Sequence, residues 1–323
     1  MLALVFAVLA TVMGLRTNPH LEDVDEAVYS HTLVAMQHGM GYYPAMREAL
    51  VSKEGAPPSE IRAVRPPTMF VVVSAIPRPL WRWAVGLVFL ASLLLAWRLG
   101  RSVEQFGGPI AVAVMGLWLM SASAFLYLHA ELWGLPLLLG GVLALRNERW
   151  AAAAVLLASA AAVRELYAVA FVVGFVVTQD RKWWWPVGAL GAGFAVVHAG
   201  LASAILSPTG TQTPFGTDHL TWQYVCNALS PFDHPLGWFV GLAGGALGAA
   251  GLVRRWGYDR GARTLLLHAA VMVPLAVFVG RNYWALTMGP AVACFAAEGV
   301  VAMANAPWRI GLARPRPSRA VSS

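Results

Sequence analysis

The sequence predicts an all-α polytopic membrane protein of about ten transmembrane helices, nine to eleven in all, whose first outer loop carries amphipathic juxtamembrane helices. Three observations predict it. Only 12% of the 323 residues are charged and 58% are hydrophobic, where a soluble surface needs ~25% charge. Apolar runs such as 108–128 and 183–206 can cross a ~30 Å hydrocarbon core at ~1.5 Å per residue. The basic residues gather on alternate loops. This pattern excludes an ordinary cytosolic enzyme and a disordered chain.

Apolar runs between charged punctuation place the spans at 1–15, 83–97, 108–128, 130–145, 150–163, 165–178, 183–206, 236–253, 262–280 and 283–304. The first is read as an uncleaved span rather than a signal peptide, because it has no basic n-region and no clear small-x-small site. Its shortness fits a start upstream of Met1. Several other runs are short and must borrow neighbouring residues or lie in thinner membrane. A further run, 68–77, is bracketed by Pro66-Pro67 and Pro77-Arg78-Pro79. It reads as a re-entrant or interfacial segment, with a full crossing as the competing reading. Residues 1–304 thus form a single transmembrane domain with outer loops 16–66 and 207–235. Residues 305–323 form a basic cytoplasmic tail, expected to be disordered and open to anionic headgroups.

With cytoplasmic termini, the inner segments hold Arg98, Arg101, Arg146, Arg149, Arg181, Lys182, Arg254, Arg255, Arg260, Arg263, Arg309, Arg314, Arg316 and Arg319, which is 14 of the 23 basic residues. The outer 207–235 loop has none. That bias follows the positive-inside rule and sets a multi-pass orientation in the cytoplasmic membrane. It also explains the net charge of +7 without nucleic acid. Trp81, Trp83, Trp97, Trp133, Trp150, Trp183, Trp184, Trp185, Trp238 and Trp284 fall near span ends and read as interfacial anchors. Cys226 and Cys294 lie in unlike surroundings and suggest no disulfide. The glycine-rich stretch 241–251 reads as close helix packing rather than phosphate binding.

Groups that can do chemistry collect on the outer side. Seven of the 16 acidic residues lie in loop 16–66. The stretch 24–38 has no Gly or Pro and stops at Gly39 and Gly41, as a surface helix would. At helical spacing Asp25, Tyr29 and Thr32 share a face. The Glu22, Asp23, Asp25 and Glu26 cluster either solvates the loop or carries a carboxylate to a substrate at the lipid boundary. Glu48, Glu54 and Glu60 read as solvation. Other outer span ends carry His129 with Glu131, Arg164 with Glu165, and Arg281 with Tyr283. Ionisable groups there are costly and point to function. The competing readings are an interfacial histidine at 129 and an ion pair at a tight turn at 164–165. His198, His268 and Glu298, inside spans, read as packing or local hydrogen bonding.

The order of these features is similar to the GT-C superfamily of membrane glycosyltransferases, which includes protein O-mannosyltransferases and the lipid A aminoarabinose transferase. Asp25-Glu26-Ala27-Val28-Tyr29 followed by Gly39-Met40-Gly41-Tyr42-Tyr43 resembles the family's Asp-Glu motif and trailing Gly/Tyr. Arg65-Pro66-Pro67 resembles its basic-Pro-Pro motif. Glu131-Leu132-Trp133-Gly134 opens a helix as its second acidic position does. Ala161-Ala162-Val163-Arg164-Glu165 resembles its small-residue run with a basic-acidic end, and Arg281-Asn282-Tyr283 with Pro290 its late Arg-Tyr…Pro helix. The resemblance runs over about residues 1–304. The chain departs from the family in lacking the large soluble C-terminal domain of some relatives, in a low span count, and in a second outer loop without an alignable motif.

The resemblance implies transfer of a sugar from a polyprenyl-phosphate donor to a hydroxyl of an acceptor glycan, lipid or protein on the outer face of the membrane. Asp25 would be the general base, with Glu26 as understudy, orienting group or metal ligand. Arg65, Arg281 and Arg164, with Tyr283, would hold the donor phosphate. Tyr29, His129, Glu131 and Glu165 would line the substrate. A divalent cation, Mg²⁺ or Mn²⁺, would take Asp25, Glu131 and His129 as ligands if one is used. The competing readings are a transporter or flippase for lipid-linked sugars and a catalytically inactive relative. A transporter should show mid-membrane ionisable groups and internal repeats, and no repeat is visible here.

Overall fold

A computed structural model describes residues 24–54, 64–101, 106–123, 128–207, 235–279 and 289–305. The described residues are all-α, with no strand among them. Three short helices come first among the described residues: α1 (Val24–Gln37), α2 (Tyr42–Glu54) and α3 (Thr68–Ser74). A 3₁₀ turn, Arg78–Leu80, leads into α4 (Trp81–Arg101). Then follow α5 (Gly107–Ser123), α6 (Ala130–Arg146), α7 (Trp150–Val163), α8 (Ala168–Val177), α9 (Trp184–Ser203), α10 (Pro235–Arg255), α11 (Arg260–Val279) and α12 (Gly289–Asn305). Each expected apolar run from 83–97 onward therefore carries a helix. The run 1–15, the loop segment 208–234 with Cys226, and the tail beyond 305 lie outside the described residues.

By length and composition two described helices suffice to cross a membrane, Arg78–Arg101 and Trp184–Ser203. Shorter apolar helices include Gly107–Leu119, Trp150–Val163, Glu165–Val177 and Cys294–Ala304. The 68–77 run forms only the seven-residue α3. At ~1.5 Å per residue it cannot cross a bilayer, so the full-crossing reading is set aside.

Two apolar clusters hold the described residues together. The larger joins α4, α5, α6, α7, α11 and α12 through side chains such as Phe89, Leu93, Leu139, Leu157 and Phe295. The smaller lies beneath the α1–α3 layer, around Leu33, Met46, Phe70 and Trp81. The Gly39 stop signal is real: α1 ends there with φ +92°, a conformation that favours glycine. Gln37 then ties α1 to the end of α3 by donating to the Ile76 carbonyl at 2.7 Å.

The tryptophan reading needs correction at two positions. Trp83 and Trp185 are exposed as anchors should be, but Trp81 and Trp184 are core residues, 2% and 1% exposed. Trp81 donates its indole N–H to the Ile76 carbonyl at 2.9 Å. Trp184 packs against Phe171 and Phe175. Proximity to a span end does not say which side of a helix the ring leaves from, and here those sides face protein.

The glycine-rich stretch does pack helix on helix. α10 and α12 touch backbone to backbone: a methyl on Gly251 would overlap the Phe295 carbonyl, and one on Gly299 the Leu247 carbonyl. Gly245, on the same helix, has open space at its Cβ position. Gly299→Leu is therefore expected to lower thermal stability in detergent by ~1–3 kcal/mol or more, as overpacking does. Gly245→Ala should be near neutral. Equal melts for the two variants would refute this packing.

Candidate functional site

The site forms where the α1–α3 layer meets the ends of α6 and α7. Helix α7 stops at Val163, and Arg164 adopts extended backbone, φ −146° and ψ 117°. One 3₁₀ turn, Glu165–Tyr167, then restarts the chain into α8. This break turns Arg164 inward, leaves Glu165 half-exposed and turns Tyr167 inward again. Glu131 sits in the first turn of α6, where the helix dipole favours a carboxylate.

The charged side chains interlock. Arg164 donates from Nε to Glu131 Oε1 at 2.7 Å and from Nη1 to Glu165 Oε1. Its side chain is 1% exposed and that of Glu131 2%. His129 Nδ1 lies 3.8 Å from Glu131 Oε2. Arg65 Nη1 lies 3.7 Å from Glu165 Oε1, and its Nε donates to the Tyr29 hydroxyl at 2.9 Å. Tyr29 meets His129 and Phe70 edge to face, at centroid distances of 5.4 and 5.3 Å. Tyr167 donates its hydroxyl to the Glu131 carbonyl at 2.7 Å. Burial, with Tyr29 and Tyr43 beside it, pushes the Tyr42 hydroxyl well above its usual range. It stays protonated and donates to the Arg65 carbonyl, fixing the backbone of the basic-Pro-Pro segment.

A groove of about 320 Å³ runs from this cluster between α7, α8 and α9. Ala161, Ala168, Phe171, Gly188 and Ala192 are among its walls, and its polar lining residues are Glu165 and His198. Small side chains on α7 and α9 keep the groove open. The outer flank of α9 is apolar and exposed, with Leu190 76% and Val196 72% accessible.

The structure brings together Tyr29, Arg65, His129, Glu131, Arg164 and Glu165, drawn from four separate stretches of sequence. Asp25 and Glu26 lie in the first turn of α1, and Asp25 is one helical turn before Tyr29, hence on the same face. Their side chains lie outside the described ones, as do Arg281 and Tyr283 entirely. Two readings are refined. His129 is wholly buried against Tyr29, so it is not an interfacial histidine. The Arg164–Glu165 ion pair exists, but Arg164 also holds Glu131 from 33 positions earlier. Thr32, on the Tyr29 face, points into protein and gives its hydroxyl to the Val28 carbonyl at 2.8 Å.

Sequence reasoning missed Tyr167 and His198. Tyr167 carried no signal beyond a hydroxyl inside an apolar run. His198 does carry one, an ionisable side chain inside a span, and the sequence reading takes it as packing or local hydrogen bonding; its hydrogen bond goes to Tyr43, 155 positions away. Among the described residues no group of three or more His, Cys, Asp or Glu is gathered as a metal site. His129 and Glu131 are adjacent, with one Glu131 oxygen committed to Arg164. No family model, curated protein or solved structure matches the chain.

Proposed function

We propose that the chain is a multi-pass glycosyltransferase of the cytoplasmic membrane that moves a sugar from a polyprenyl phosphate to an acceptor hydroxyl at the outer face. The observation that carries this reading is the meeting of an apolar groove with a charged cluster at Glu165. A prenyl chain has the chemistry of the groove, and a sugar phosphate has the chemistry of its polar end. Ionisable groups gathered at the end of such a groove also favour this reading over a transporter, which needs its site near the midplane.

In this reading the acceptor O–H gives its proton to the Asp25 carboxylate as oxygen bonds the anomeric carbon. The bond from that carbon to the phosphate oxygen breaks, and its electron pair leaves on the phosphate. Arg65, at the rim with 14% of its side chain exposed, stabilises that charge. Arg164, fully buried between two carboxylates, holds Glu131 and Glu165 in place and serves the phosphate less directly. Arg281 and Tyr283 would complete the phosphate contacts. Asp25, Glu131 and His129 are the ligands Mg²⁺ or Mn²⁺ would use.

The test is turnover of labelled polyprenyl-phosphate hexoses and pentoses in proteoliposomes, with and without EDTA. Asp25→Asn is expected to cut transfer at least ~10²-fold while the melt of the protein stays unchanged. Full activity in that variant would remove Asp25 from the mechanism. Label crossing the membrane without transfer would replace the enzyme reading with a flippase. Loss of activity in EDTA, restored by Mn²⁺ or Mg²⁺, would establish the metal.

A further inference from the structure

Helix α9 forms one wall of the groove yet has thin support, its main packing partner among the described helices being α7. Near its N-terminus Trp184 anchors it against Phe171. Toward its other end the polar tie is His198, whose Nδ1 lies 3.0 Å from the Tyr43 hydroxyl. Phe194, one turn earlier, stacks on the ring at 11° and 6.3 Å and fixes its plane. A neutral imidazole can accept from the Tyr43 hydroxyl.

Tyr42 and Tyr43 are adjacent in the first turn of α2. The first holds the Arg65 carbonyl and the second holds α9. Glu165 and His198 line the same groove, and each is tied back toward Arg65: Glu165 by its ion pair with Arg65, and His198 through Tyr43, whose neighbour Tyr42 holds the Arg65 carbonyl.

We propose that Tyr43 and His198 form a strap that positions Arg65 over the polar end of the groove, so that one device fixes both the groove wall and the cation above it. They are positioning residues, acting through α2 and the hold of Tyr42 on the Arg65 carbonyl. The ligand arm of the test rests on the lipid-phosphate reading above; the exchange arm does not.

In the full-length protein, hydrogen exchange over residues 64–70 should quicken about tenfold in Tyr43→Phe and in His198→Leu, the equivalent of one lost hydrogen bond of ~1.4 kcal/mol. His198→Gln, which keeps a donor and an acceptor, should restore protection. The double variant should be no worse than either single one, because both cut the same link. In titrations, farnesyl phosphate should bind Tyr43→Phe about tenfold more weakly than wild type, with farnesol binding unchanged. A purely structural defect would weaken both ligands alike. Wild-type exchange rates in Tyr43→Phe and His198→Leu would overturn the strap. If wild type binds neither ligand, the lipid-phosphate reading fails and the exchange result alone decides the strap.

Discussion

Glu131→Ala is expected to cost roughly 3–5 kcal/mol of stability, enough to unfold a marginal protein. The reason is Arg164. Its guanidinium is 1% exposed and is shared between Glu131, itself 2% exposed, and Glu165, which is 49% exposed. Removing Glu131 strands a buried cation whose remaining carboxylate faces water. Removing Glu165 leaves the buried pair intact, so Glu165→Ala should cost ~1 kcal/mol or less. The asymmetry extends to repair. Glu131→Leu combined with Arg164→Met removes both charges at once and should melt well above Glu131→Ala, because replacing a whole buried pair by apolar volume is often neutral. Thermal unfolding of the four proteins in one detergent checks the ordering. Equal melts for Glu131→Ala and Glu165→Ala would show that burial does not set the strength of this network. A folded but inactive double variant would separate the pair's role in chemistry from its role in folding.

Arg146→Lys is expected to destabilise the opposite end of the bundle, although it keeps the positive charge. The sequence reading treats Arg146 as one of many inner basic residues that set orientation, and for that purpose lysine is equivalent. In the structure its side chain is 12% exposed. Nε donates to Asp259 Oδ2 at 2.9 Å with Nη2 beside it on the same oxygen, and Nη1 donates to the Leu99 carbonyl at 3.0 Å. The guanidinium also lies 5.6 Å from the Phe295 ring centre. One side chain thus joins α6 to α4, α11 and α12. Lysine cannot supply that planar fork, and the loss should be ~1.5–3 kcal/mol, the range for hydrogen bonds to charged groups. Arg149→Lys, at an exposed position, is the control and should be silent. Asp259→Ala should be worse than Asp259→Asn: Asp259 Oδ1 also accepts the Ala262 N–H at 3.0 Å, capping α11. Asparagine keeps that cap and alanine loses it, at ~0.5–2 kcal/mol. If Arg146→Lys and Arg149→Lys behave alike, orientation is all that Arg146 provides.

Much of the site was legible as ingredients. His129, Glu131, Arg164 and Glu165 each stood out because ionisable groups at apolar boundaries are expensive and therefore few, while Arg65 stood out only through its basic-Pro-Pro motif. Tyr29 was legible through helical spacing from Asp25 and through the Asp-Glu motif it closes. What could not be read was connectivity. That Arg164 bonds Glu131 across 33 positions, while its neighbour Glu165 turns toward Arg65, depends on a single extended residue between two helices. Periodicity says nothing about a one-residue break. The groove was equally invisible, since alanines and glycines on α7 and α9 read the same whether they close a helix contact or leave a channel.

The sequence by itself determined that this chain is helical and apolar, which apolar runs from 83–97 onward carry helices, and which few side chains carry charge. Those properties follow from composition and from repeats of three to four residues, which act locally. The tertiary structure decided which of those charges are buried partners and which stand at a rim, and which tryptophans are core. It also decided that Gly251 of α10 meets α12 while Gly188 and Gly191 of α9 border an open groove. Such outcomes turn on whether atoms distant in sequence come within a few ångströms, where burial makes losing one partner of an ion pair costly and a single methyl makes contact or collision.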